Sequence, residues 1–112
     1  MSTAERIKEA LAPLGYPVAQ LEHVGTEETY FVFTLGEIPA NHADDEPQHL
    51  RITVMLHLFC PIKLNTWKLK RKVKAALQEA AFTYPEETDA SEVGKQHVVF
   101  EFEGVEAATD GL

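Results

Sequence analysis

Leu50-Arg51-Ile52-Thr53-Val54-Met55-Leu56-His57-Leu58-Phe59 decides the fold. Leu50, Ile52, Val54, Leu56 and Leu58 are aliphatic without exception, and they alternate with Arg51, Thr53, Met55, His57 and Phe59. A period of two puts one set on each side of a pleated strand, so this run reads as a half-buried strand closed by Pro61. Its second set turns apolar at Met55 and Phe59, which implies some cover on that side as well.

Upstream, Thr29–Leu35 (TYFVFTL) is a second β-rich run, with Phe31, Phe33 and Leu35 sharing a face and Gly36 ending it. Residues 37–48 between the two strands hold two prolines and three consecutive acids, a connection long enough to suggest a functional or mobile loop. Further upstream, Ile7, Ala10, Leu11 and Leu14 recur at helical spacing over Thr3–Leu14. Ser2 and Glu5 supply a capping box, Pro13 and Gly15 stop the helix, and Pro17 favours an extended exit through Val18–Leu21.

Downstream, Asn65 or Thr66 caps a second helix reaching about Ala81, with Leu69, Val73, Ala76, Leu77 and Ala80 as its core stripe. A short strand starting over Phe82–Pro85 follows. The last strand is His97–Glu103, with Val98, Phe100 and Phe102 inward. The order α-β-β-β-α-β-β predicts an α+β fold, a mixed and mainly antiparallel sheet of four to five strands with both helices on one face. Residues 1–103 form one domain in this reading, and 104–112 a frayed tail.

The chain has 112 residues, ordinary for one domain, and 45% apolar content, enough for one modest core. No apolar run approaches the ~20 residues of a membrane span, and Met1-Ser2-Thr3-Ala4-Glu5 begins no signal peptide. The single cysteine, Cys60, excludes an internal disulfide and fits synthesis in a reducing cytoplasm.

The formal charge of −8 is unevenly spread. Lys63, Lys68, Lys70, Arg71, Lys72 and Lys74 are six of the ten cations, in a stretch without an acid. The rest of the chain carries four cations against eighteen acids. Such a dipolar chain argues against a dedicated nucleic-acid binder and for surfaces that meet other proteins, copies of itself included.

Catalytic motifs are absent: there is no glycine-rich phosphate loop, no H-E-x-x-H and no cysteine pair. Cys60 and His57 lie three apart on a strand, hence on opposite faces, which makes a nucleophile–base pair of them impossible and a buried thiol the simpler reading. His42, Asp44, Asp45 and His49 have the ligand chemistry for zinc, manganese or iron, the basis of an alternative reading as a small metal-binding enzyme. Their spacing fits no zinc motif, and a proline-containing loop holds ligands poorly. Neither a metal nor another cofactor is expected. Trp67 among lysines suits either base stacking or an anchor at the first helical turn.

Several phrases, taken in order, resemble a known family. Tyr30-Phe31-Val32-Phe33, Ala43-Asp44-Asp45 before the long strand, Val73–Phe82, Tyr84–Asp89 and His97–Phe102 are similar to the tail terminator, or tail-completion, proteins of tailed bacteriophages and prophages. The resemblance runs from about Ala10 to Phe102, and none of its phrases is a catalytic signature. Where the family has glycine at the end of the second helix this chain has Ala81, a departure expected to matter little because alanine is the better helix former.

The resemblance implies a structural, non-enzymatic virion protein of the neck, assembled in the host cytoplasm. Its fellows form a ring, hexameric in the family, that caps the tail tube, stops its polymerisation and offers a joining surface to the head–tail connector. A head-proximal stopper or adaptor is the alternative position. Genomic DNA then enters only as passing cargo, and no membrane is involved. Within that frame Lys68, Arg71, Lys72 and Lys74 are candidates for the contact with a neighbouring subunit or partner. Asp44, Asp45 and Glu46 are candidates for an acidic channel wall that repels phosphate.

Overall fold

A computed structural model describes residues 1–38 and 49–107. Its elements are α1 (Thr3–Leu11), β1 (Val18–Gln20), β2 (Tyr30–Ile38), β3 (His49–Pro61), α2 (Trp67–Glu79), β4 (Glu86–Asp89) and β5 (Lys95–Ala107). They form a five-stranded sheet in the order β1-β2-β3-β5-β4. β1 runs parallel to β2 and every other neighbouring pair is antiparallel, so the fold is α+β in the expected element order.

β3 is the spine. Leu58 lies between Phe31 and Val98, Leu56 between Phe33 and Phe100, and Val54 between Leu35 and Phe102. These residues share one side of the sheet, where Ile7 and Leu11 of α1 and Val73 and Leu77 of α2 close a single core. Both helices therefore cover the same face, and the opposite face has no second layer among the described residues. The long strands draw the molecule out to 51 × 23 × 22 Å.

Local chemistry explains the ends of the elements. The Ser2 hydroxyl accepts from the Glu5 N–H and the Glu5 carboxylate accepts from the Ser2 N–H, each at 3.2 Å, completing the capping box. α1 tightens at Pro13 into a 3-10 turn over Ala12–Leu14, and Gly15 ends it at φ +84°. At α2 it is the Asn65 carboxamide that accepts from the Trp67 N–H, at 3.1 Å; the Thr66 hydroxyl instead reaches Gln96.

Several boundaries differ from the sequence reading. β2 does not stop at Gly36 but crosses it to Ile38, because Gly36 pairs with Thr53 where a Cβ would press to 3.0 Å from the threonine methyl. The short fourth strand starts at Glu86 rather than in Phe82–Pro85, whose Phe82 and Pro85 are buried as packing residues instead. Glu86–Asp89 pairs with Val98–Glu101.

A further difference concerns the C-terminal end. β5 continues to Ala107, opposite His49–Ile52, so residues 104–107 belong to the sheet; 108–112 lie outside the described residues. Gly104 is buried where an added Cβ would come within 2.6 Å of the Phe82 ring. The Glu106 carboxylate accepts from both the N–H and the hydroxyl of Thr3, at 3.1 and 2.6 Å. Arg6 lies 4.4 Å over the Phe82 ring and donates to the Val105 and Ala80 carbonyls. What composition suggested was a fraying tail is the strap between α1 and the sheet.

Candidate interaction surface

α2 presents two sets of cations because its turns point both toward the sheet edge and away from it. Lys70 and Lys74 lean over β4 and hold Glu87 at 3.2 and 2.9 Å. Burial pushes the Glu87 carboxyl up, yet the hydrogen bonds and charges of Lys74 and Lys70 outweigh it and hold it below the ordinary carboxylate range. The same hydrogen bond holds the Lys74 ammonium up. Lys74, a candidate for contact with a partner, is thus committed to its own chain. Lys68, Arg71 and Lys72 are exposed, and among the described residues none of them makes an ion pair.

The open face of the sheet is divided along its length. Toward one side, Glu86 stands directly opposite Glu101, and both are exposed. Like charges in direct cross-strand register repel, which costs stability and favours a nearby cation. Glu86, Glu101 and Glu103 line one depression of about 250 Å³ with Thr53, Thr83 and Tyr84. Of these acids Glu103 is partnered, by Arg51 at 2.8 Å.

Toward the Pro61 end, the same face carries stacked rings. Tyr30 and Phe59 are cross-strand partners with ring centroids 5.1 Å apart, Phe59 stacks on His97 at 4.3 Å, and His23 stacks on Tyr30 at 4.5 Å. The His57 Nδ1 and His97 Nε2 atoms are 2.7 Å apart in a direct imidazole–imidazole hydrogen bond. The Lys95 ammonium lies 4.8 Å from the Phe59 ring centre and hydrogen-bonds the Tyr30 hydroxyl at 3.2 Å. Met55 and Phe59 announced cover on this side; at Phe59 it comes in part from the stacked rings of Tyr30 and His97.

The remaining candidates are quickly placed. His42, Asp44, Asp45 and Glu46 lie outside the described residues, so neither the acidic channel wall nor the metal constellation is seen; His49 is the exposed first residue of β3. Among the described residues no group of three or more His, Cys, Asp or Glu side chains could hold a metal ion. Cys60 is buried on the helix side, away from His57, and burial raises its thiol above the ordinary value. Trp67 is not an anchor: 67% of it is exposed.

Sequence reasoning missed the histidine pair. His57 and His97 are forty residues apart, and only the antiparallel register of β3 with β5, which pairs His97 with Phe59, brings them together.

No helix among the described residues is long and apolar enough to cross a membrane. No family model matches the chain. No curated protein matches it either. Among solved structures, one superposes with a TM-score of 0.60 over 96% of this chain and 92% of its own length. The two are 14% identical, which is a likeness of fold alone.

Proposed function

We propose that the protein is a subunit of a head-to-tail ring that caps the tail tube of a bacteriophage or phage-derived particle, ends its polymerisation and offers a joining surface to the head connector. The observation that carries the proposal is the position of two unlike patches. Lys68, Arg71 and Lys72 stand exposed on the helical layer, whereas Glu86 and Glu101 stand on the far side of the sheet. Complementary patches on opposite layers cannot meet within one molecule. They are satisfied by heterologous contacts, which close into a ring when the rotation permits. The resemblance of the ordered phrases to tail terminators supports that identity for the ring, and the net charge of −8 suits a channel wall that phosphates pass without binding.

The test is assembly. Electron microscopy and sizing of the purified chain should reveal a ring, six-fold by the family resemblance. K68E/R71E/K72E should abolish it, and adding E86K/E101K to that variant should restore it by exchanging the charges. A monodisperse monomer at every concentration, or an intact ring in the triple variant, overturns the proposal. Co-sedimentation with tail tubes rather than with connectors separates the terminator from the head-proximal stopper.

A further inference from the structure

The imidazole bond on the open face has a use that follows from its geometry. An N···N hydrogen bond of 2.7 Å requires one nitrogen to keep its lone pair, whichever tautomer each ring adopts. One proton on the pair is compatible with the bond. Two protons would leave N–H facing N–H and set two charges side by side in a half-buried site.

We infer that His57 and His97 form a proton-operated catch on the open sheet face, closed near neutral pH and sprung by the second proton. Opening it takes the aromatic patch, with the fixed cation Lys95 and one proton already on the pair, from two charges to three. The inference rests on the proposed ring in one respect only: this face also receives the cationic helix of the next subunit, so the sprung state repels that neighbour.

The surroundings oppose the second proton on balance. Burial holds both imidazoles below their ordinary value, and for His57 the charge of His97 adds to it. Lys95 pushes His97 further down, while Glu92 and Asp89 pull it up. Phe59 stacks on both rings and offers no charge. Opposite His57 stand Val32 on β2 and Val99 on β5, neither of which titrates. The nearest titratable groups beyond Phe59 are Tyr30 and, stacked on it, His23; Glu101 is two residues along β5 on the same face. The helices pack on the other side of the sheet and take no part.

Two groups that share a bond titrate as a pair, in two macroscopic steps. The subunit itself provides the first test, independent of any ring. In an imidazole nitrogen titration by NMR, His57 and His97 should shift together in two steps, the second below the ordinary value of about 6.5. H57Q and H97Q should each leave a single step at the surviving histidine. Independent titration of both rings near the ordinary value overturns the catch.

Stability gives a second readout with a fixed sign. The folded pair binds fewer protons than the unfolded chain, so its contribution is complete above about pH 6.5 and is lost as pH falls through the lower folded values. The melting temperature should therefore drop between pH 7 and pH 5 by several degrees, roughly, more than in H57Q/H97Q. Equal slopes overturn the catch.

Sizing at the two pH values then reads the consequence. The wild-type ring should dissociate at the lower pH and the H57Q/H97Q ring should persist; equal behaviour overturns the link to assembly. If no ring forms at either pH, the proposed function falls while the NMR titration still decides the catch.

Discussion

Ala81 sits two residues beyond the end of α2 with φ +69°, a left-handed conformation that its Cβ disfavours. Its N–H donates to the Gln78 carbonyl and the next N–H, that of Phe82, to the Leu77 carbonyl, which is the Schellman pattern; Leu77 and Phe82 both enter the core. The expectation that alanine here matters little, because it favours helices, fails for a simple reason: this residue lies past the helix. Glycine, found there in the resembling family, is what the geometry asks for. A81G should stabilise the fold by about 0.5–1 kcal/mol, the relief of left-handed strain less the added freedom of the unfolded chain. Denaturant midpoints of the two proteins check it, and a lower midpoint in A81G would contradict the strain.

At the scale of elements, what the sequence made legible was whatever followed a strict period. β3 alternates without a fault, and the stripes of α1 and α2 name Ile7, Leu11, Val73 and Leu77, all fully buried. Illegible were the elements whose reason lies in a partner far along the chain. Glu86–Asp89 has no β character of its own and is a strand because β5 offers an edge, with Glu87 held from above by Lys70 and Lys74. Gly104–Ala107 has no apolar pattern either, and is fixed by His49–Ile52 beside it and by Thr3 and Arg6 above.

The candidate site follows the same rule. The exposed cations could be read from helical spacing, whereas the Glu86–Glu101 opposition and the imidazole pair needed the register. A chain ending at Glu103 should lose stability on the order of 3 kcal/mol, from the severed Glu106 and Arg6 hydrogen bonds and the exposed end of β3. One ending at Ala107 keeps those bonds. Thermal unfolding of the two truncated chains distinguishes a strap from a frayed tail: equal midpoints would mean that residues 104–107 carry nothing.

Taken whole, the molecule is a two-layer plate with an exposed basic patch on its helical side and the Glu86–Glu101 pair on the other. Subunits joined by such sides should respond to ionic strength as exposed charges do, since a Debye length of about 8 Å at physiological salt already screens much of the attraction. The proposed ring should form more slowly, and at a higher subunit concentration, as salt rises toward about 0.5 M. Sizing across a salt series checks this. Assembly indifferent to salt would place the contact on apolar area rather than on Lys68, Arg71 and Lys72.

The margins of the sheet bear on how copies can add to one another. One margin is β1, three residues long, and the other is β4, four exposed residues of which three are acidic. Short and charged margins are poor templates for a further strand. Growth by hydrogen bonding edge to edge is thereby discouraged along β1 and β4, and the longer open edge lies beyond them, at Thr34–Ile38 of β2 and the last residues of β5. The proposed ring would instead join copies through their broad sides, in contacts whose number the angle between subunits limits.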